Sequence, residues 1–328
     1  MKHFRSSILI MVIGLSVALM IGGFGAFYIV ALLAMLEVSL SFDNAVVNAK
    51  ILETMEEKWQ KRFITWGIPV AVFGMRFLFP IMIVAIASGM GLFETFDIAL
   101  NEPLKYKDIL ESVDKLIYAF GASFLMMVFL HFIFETDREE KWIDIIEDSN
   151  MIDKMGRIKS IQMTITSTIG IILTFATESY QIAGAYFIGI VLYTLIASLD
   201  DLFNINGIRS GILGFLYLEV LDASFSFDGV IGAFALSSDI FVIMIGLGVG
   251  AMFVRSLTLY MLEEKTLTEY RYLEHGAHYA IFALSIIMLA EIFTHIDEIV
   301  VGTIGVLFIA ISTYHSIQAN KKAKVLAN

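Results

Sequence analysis

Two short stretches of this chain repeat one another's acids. Residues 37–43 read EVSLSFD and residues 222–228 read DASFSFD. Aligned without gaps, Glu37 meets Asp222, Ser39 meets Ser224, Ser41 meets Ser226, Phe42 meets Phe227 and Asp43 meets Asp228. Asn44 follows the first copy, and Glu219 precedes the second. The donors are carboxylates, an amide and hydroxyls. Such hard oxygens suit Mg²⁺, Ca²⁺ or Mn²⁺ rather than soft, thiolate-seeking ions. The chain has no cysteine, which excludes disulfides, thiolate metal sites, iron–sulfur clusters and thiol nucleophiles. The expected ligands are Glu37, Asp43, Asn44, Glu219, Asp222 and Asp228, with Asp43 and Asp228 as the principal pair. The divalent cation is expected as cargo, and no cofactor is expected. For each of the four serines, close packing between helices is at least as good a reading as ligation.

The elements that hold these residues are set by composition. The chain has 328 residues, of which 58% are apolar and 17% charged. Soluble domains carry about 25% charged residues, so the solvent here is lipid. Apolar runs of about 17–25 residues span a bilayer as helices. Ten are expected, at 6–22, 25–48, 63–88, 115–134, 161–177, 182–199, 212–236, 240–262, 276–293 and 298–316. The first is read as a retained span rather than a cleaved signal, because its apolar run continues past Val30. With the N-terminus in the cytoplasm, seventeen of the 22 lysines and arginines fall inside. Only Lys105, Lys107 and Lys115 fall outside, which satisfies the positive-inside rule. Both termini are therefore expected in the cytoplasm of an inner (plasma) membrane protein.

Both acid motifs fall inside spans, the second and the seventh. Four spans separate them, so the two helices must cross in opposite directions. Arg76 and Arg255 recur in the third and eighth spans, and Leu-Glu recurs at 110–111 and 273–274, ahead of the fourth and ninth. The expected architecture is an all-α, polytopic transmembrane bundle with an inverted three-plus-three repeat. Repeat one covers about 25–134, linking spans 161–199, and repeat two about 212–293. Inverted repeats put substrate sites near the bilayer midplane. Segment 135–160 is expected inside as an amphipathic interfacial helix. The acid-rich outer segment 91–114 reads as a solvated loop.

An ionised acid at a helix centre costs about 2.5–3.5 kcal/mol on insertion scales. Five together approach a whole fold's stability of about 5–15 kcal/mol. They must be protonated, paired or bound to a cation. Arg76 and Arg255 are expected to gate the site or balance its charge, although Arg255 is near enough to the cytoplasmic end to snorkel. At about 100° per residue, Glu37, Ser41, Asn44 and Asn48 share one stripe of the helix, with Ser39 and Asp43 on a neighbouring one. A single ion shared by Glu37 and Asp43 needs a bend near 39–41, or ligands from both repeats. His131 with Glu135, and His275 with His278 at the outer end of the ninth span, read as interfacial polar pairs. Asp200 and Asp201 could form an exit vestibule.

The motifs LEVSLSFDNAVV, with Glu37 six residues before Asp43-Asn44, and LEVLDASFSFDG, with Glu219 and Asp222 nine and six residues before Asp228, resemble those of the TerC family of integral membrane proteins, within the lysine-exporter-like class of carriers. The resemblance runs from Ala31 to about Phe293. It departs at Gly229, where many members carry serine, and in the long inside segment. It implies manganese efflux, with a looser link to tellurite resistance. Five acids would repel an oxyanion, so tellurite itself is not the expected cargo.

The expectation is a carrier that exports Mn²⁺, or else Ca²⁺. No GxxxxGK[ST] loop occurs, so the drive would be an ion gradient, with proton antiport as one form. The alternative is a non-transport membrane assembly partner or stress-response scaffold whose acids merely pack the bundle. An enzyme is not expected, and neither is a nucleic-acid partner.

Overall fold

The computed structural model describes residues 3–135, 138, 140–203, 211–237 and 239–326. The side chains at 64, 68, 71, 72, 75, 199–203, 211, 213, 223–228, 231, 235, 298, 299 and 323–326 are outside that description. Asp228, an expected principal ligand, is therefore outside the described residues as a side chain, as are Asp200, Asp201, Ser224 and Ser226. Among the described residues every regular element is a helix. In order they are α1 (Arg5–Leu40), α2 (Phe42–Glu53), α3 (Glu57–Thr65), α4 (Gly67–Pro69), a π-helix (Val70–Leu78), α5 (Phe79–Ser88), α6 (Leu92–Asn101) and α7 (Pro103–Ile133). Then follow α8 (Asp144–Glu147), α9 (Asn150–Gly156), α10 (Ile161–Thr177), α11 (Tyr180–Phe203), α12 (Gly211–Leu236), α13 (Ile240–Glu263), α14 (Thr266–Glu269), α15 (Leu273–Glu291) and α16 (Glu298–Leu326).

Among the described residues, six helices are long and apolar enough to cross a membrane, or eight if each of two bent pairs makes one span. Helix α1 enters that count once, yet it is a hairpin. Gly14 lies against Ile245 and Val249, while Leu33 lies against Gly246. On a straight helix, positions 14 and 33 would be about 28 Å apart. Both reach the same turn of α13 because the chain reverses at Gly22 (φ −129°, ψ 17°) and Gly23 (φ +64°, ψ −154°). The Gly23 conformation is essentially reserved for glycine. The two limbs correspond to the first two expected spans. Ser7 anchors the first limb by donating to the Met252 carbonyl at 2.7 Å.

The second expected span is interrupted, because Ser41 leaves helical geometry (φ −102°, ψ 17°) between α1 and α2. The third is a composite of α3, α4, the π-helix and α5. The outer segment 91–114 was expected as a loop. Instead it holds α6 and the start of α7, with α5 and α6 bent by 119°. Pro103 at the first turn of α7 explains the new start, since a missing N–H costs nothing there. Segment 135–160 carries two short helices, α8 and α9, and Ser149 caps α9 by accepting from the Ile152 N–H.

Helices α2 and α12 cross antiparallel: Asn44 bonds Asp222, and Met55 lies against Gly214. Helices α7 and α15 do the same, with Gly121 at Met288 and Phe132 stacked on His278. The chain ends and the segments expected beside them meet on one face, hereafter the terminal face. There His3 lies near Glu263, Lys50 pairs with Glu274, Arg271 pairs with Glu140, and Asn320 donates to the Glu269 carbonyl. His275 and His278 also lie on this face, against the 138–148 segment, and not at the opposite end as expected. Helix α15 enters from the terminal face because it runs antiparallel to α7.

Candidate acid–arginine site at the crossing of α1, α2 and α12

Glu37 is 1% exposed, in the last turn of α1. Its close approach to α13 depends on Gly250, where a Cβ would sit 2.4 Å from the Glu37 Cβ. Gly229 of α12 faces the carboxylate from the other side. Ser41, at the break after α1, donates to Glu37 Oε1 at 2.9 Å. The break expected near 39–41 thus turns a hydroxyl onto Glu37.

Arg76 joins the two motifs. Its Nη2 donates to Glu37 Oε1, and its Nη1 donates to Asp222 Oδ2 at 2.8 Å. The other Asp222 oxygen accepts from Asn44 Nδ2 at 2.5 Å. Hence Glu37, Asn44 and Asp222, expected as ligands, converge with Arg76, expected to balance charge. The Arg76 Nε–H has no partner among the described residues.

Glu219 and Arg255 form a looser second pair, 3.8 Å apart. The Arg255 guanidinium lies 3.9 Å over the Phe63 ring, a cation–π contact. Gly67 makes room for it, since a Cβ there would fall 1.5 Å from Arg255 Nη2. Arg255 is 6% exposed, so it does not snorkel to the surface.

Between the two pairs is a cavity of about 20 Å³, lined by Asn48, Phe63, Arg76, Glu219, Asp222, Ala251, Val254, Arg255 and Thr258. That is room for one water-sized particle. Asn48 Oδ1, Asn44 Oδ1 and Glu219 Oε1 are buried acceptors with no hydrogen-bond partner among the described residues. Buried oxygens are rarely left so, because each unmet one costs about 1–3 kcal/mol. Sequence reasoning did not include Asn48 or Thr258 in the ligand set. Asn48 had a signal, its position on the Glu37 stripe. Thr258 had none, because it is three residues beyond Arg255 in an otherwise apolar helix.

Asp43 stands apart. Its carboxylate accepts from the Asn44 N–H at 2.9 Å and lines a second cavity of about 20 Å³ with Leu40, Ala280, Leu284, Val301, Gly302, Ile304 and Gly305. Among the described residues, no three His, Asp or Glu side chains converge closely enough to hold a metal ion. In the described cluster the positive charge between the acids is a guanidinium.

A separate polar cluster pins the terminal-face segment. Glu147 is 2% exposed; it lies 3.2 Å from His275 Nε2 and accepts from the Trp142 N–H at 3.2 Å. Arg138 lies 3.7 Å from the same carboxylate and stacks on Phe132. Burial pushes the Glu147 carboxyl up, but His275, the Trp142 N–H and Arg138 outweigh it and hold the group below its ordinary value of 4.5. Trp142 Nε1 donates to His315 Nδ1 of α16 at 2.9 Å.

A family model described as a protein of unknown function (DUF475) matches residues 42–323. No curated protein matches the chain, and no solved structure matches it.

Proposed function

The chain belongs to the DUF475 family of proteins of unknown function, and from that footing we propose that it is a membrane carrier exporting a divalent metal cation, Mn²⁺ first and Ca²⁺ second. One observation carries the reading: Glu37 at the end of α1 and Asp222 of α12 share one guanidinium, beside a cavity where Asn48 Oδ1 and Glu219 Oε1 lack hydrogen-bond partners among the described residues. A dehydrated cation entering there would find carboxylates from Glu37, Asp222 and Glu219 and amide oxygens from Asn44 and Asn48. Hard oxygens of this kind match Mn²⁺ and Ca²⁺. Arg76 would hold the acids neutral while the site is empty. The resemblance of the two acid motifs to TerC proteins supports the choice of manganese. Asp43 and Asp228 remain in the proposal as ligands of a second step along the path.

The inverted repeat belongs to the same proposal. If Glu37 corresponds to Asp222 and Asn44 to Gly229, exchanging the repeats turns the Glu37–Gly229 contact into the Asp222–Asn44 contact. Both contacts are present, which supports a two-fold relation between the motif helices. Rocking of one repeat against the other would alternate access. The seventeen-to-three charge bias supports a cytoplasmic terminal face and an inner-membrane location. The carboxylates would exchange metal for protons, making antiport the drive, and no catalytic step is assigned.

A second reading is favoured by one observation. Arg76 pairs with both acids at once, as a structural ion-pair network would, and a scaffold needs nothing more. Metal uptake into proteoliposomes separates the two. Wild type should take up one of Mn²⁺, Ca²⁺ or Mg²⁺, and Asp222→Asn should abolish uptake while remaining folded. A well-folded wild type that moves none of the three supports the scaffold.

A further inference from the structure

The segment that carries Arg76 is not an α-helix. Val70–Leu78 is a nine-residue π-helix in the middle of a composite span. Such helices are rare, mostly single turns, and frequent at functional sites. Its cause is legible in the chain. Pro80 lacks an N–H, and its ring collides with the carbonyl four residues back in an α-helix. That carbonyl belongs to Arg76. Winding with i→i+5 bonds moves the carbonyl away from the ring and sets the direction of the Arg76 side chain. Pro69 closes the segment at the other end, so two of the chain's three prolines bracket it.

We infer that Val70–Leu78 is a two-register switch: its π register holds the Arg76 guanidinium between Glu37 and Asp222, and its α register withdraws it when a divalent cation binds there. The inference rests on the carrier reading and specifies how its site is emptied and filled. The two cations compete for the same oxygens: Glu37 Oε1 and Asp222 Oδ2 both accept from Arg76, and a divalent ion beside a guanidinium in a low-dielectric interior is strongly repelled. The cation therefore binds only the register from which Arg76 has gone, and that differential affinity is what shifts a conformational equilibrium. Arg76 is six residues past Val70, so a change from i→i+5 to i→i+4 bonds swings it well around the helix axis. The outward face does not obstruct the turn: Phe73 is 59% and Leu78 50% exposed, facing lipid rather than protein. A Cβ at Gly74 would meet nothing nearer than 3.5 Å. The unmet Arg76 Nε–H fits a guanidinium held by a displaceable clamp.

The absence of cysteine makes the test direct, since introduced thiols have no background. Spin labels at Phe73→Cys and Ile188→Cys, on the exposed face of α11, report the distance between the segment and a fixed helix. Ca²⁺ is the diamagnetic probe, and calorimetry on unlabelled protein measures its binding separately. The expected result is a label distance that changes with Ca²⁺ over the same concentrations at which Ca²⁺ binds. Pro80→Ala removes the clash, so it should shift the cation-free distance toward the loaded value and lower the Ca²⁺ Kd several-fold. Binding with an unchanged wild-type distance overturns the switch and leaves the carrier reading standing. No Ca²⁺, Mn²⁺ or Mg²⁺ binding by folded wild type overturns both. If Pro80→Ala does not fold, the wild-type distance alone decides.

Discussion

Asn44 and Asp222 are 178 positions apart in sequence, yet the Asn44 side-chain amide donates to the Asp222 carboxylate at 2.5 Å. The bond ties the two acid motifs together side to side. With one Asp222 oxygen on Asn44 and the other on Arg76, each oxygen already accepts one hydrogen bond and keeps one lone pair. A cation loading there competes with Arg76 for the same carboxylate.

Arg76→Gln is the most informative single change. It leaves Glu37 and Asp222 buried without their shared counter-charge, and breaking a buried pair costs about 3–5 kcal/mol. The melting temperature in detergent should fall accordingly. Saturating Mn²⁺ should raise it again by more than it raises wild type, because ligand binding to the folded state stabilises it. Loss of stability with no rescue by Mn²⁺, Ca²⁺ or Mg²⁺ would mean that the acids serve packing alone.

Gly67→Ala tests the space under Arg255. The new Cβ would fall 1.5 Å from Arg255 Nη2, so the guanidinium must leave Phe63 and Glu219. Overpacking of this kind costs roughly 1–3 kcal/mol. Arg255→Lys, with a slimmer head, should relieve part of that cost. The double variant should thus be more stable than the two single losses predict, and thermal unfolding of all four proteins measures the coupling.

Gly23→Ala probes the α1 hairpin. Nothing lies within 4 Å of the added Cβ, so the effect is purely conformational. At φ +64° and ψ −154° an alanine costs roughly 1–3 kcal/mol. A melting temperature equal to wild type would show that the chain does not reverse at this residue.

The terminal-face segment should respond to acid. Glu147 is held below its ordinary value of 4.5 when docked. Its contribution is therefore complete above that value and is lost as pH falls through the depressed docked value. The groups facing it are Arg138, His275, Tyr279 and the Trp142 N–H. Trp142 fluorescence should report release of the segment only at acidic pH. Glu147→Gln should flatten that transition and release the segment at neutral pH.

Much of this molecule is written in its sequence. Lipid as solvent follows from 58% apolar residues, and helix as the one regular element among the described residues follows because hydrocarbon offers no partner for a free backbone N–H or C=O. The doubled acid motif identifies Glu37 and Asp222, since unpaired acids cannot persist inside spans. Stripe arithmetic grouped Glu37, Ser41 and Asn44, because helix periodicity is local. Tertiary structure alone decided the rest. It set Asp43 against an otherwise apolar cavity, while Asn44, about 100° further round α2, meets Asp222. It brought Asn48 and Thr258 to one cavity from helices some 200 residues apart in sequence. It brought His275 to Glu147 because α15 runs antiparallel to α7. Spacing along a chain fixes which residues share a face of one helix. Which faces meet depends on the crossing of helices distant in sequence, and on glycines such as Gly250 and Gly67 that let a charged side chain approach.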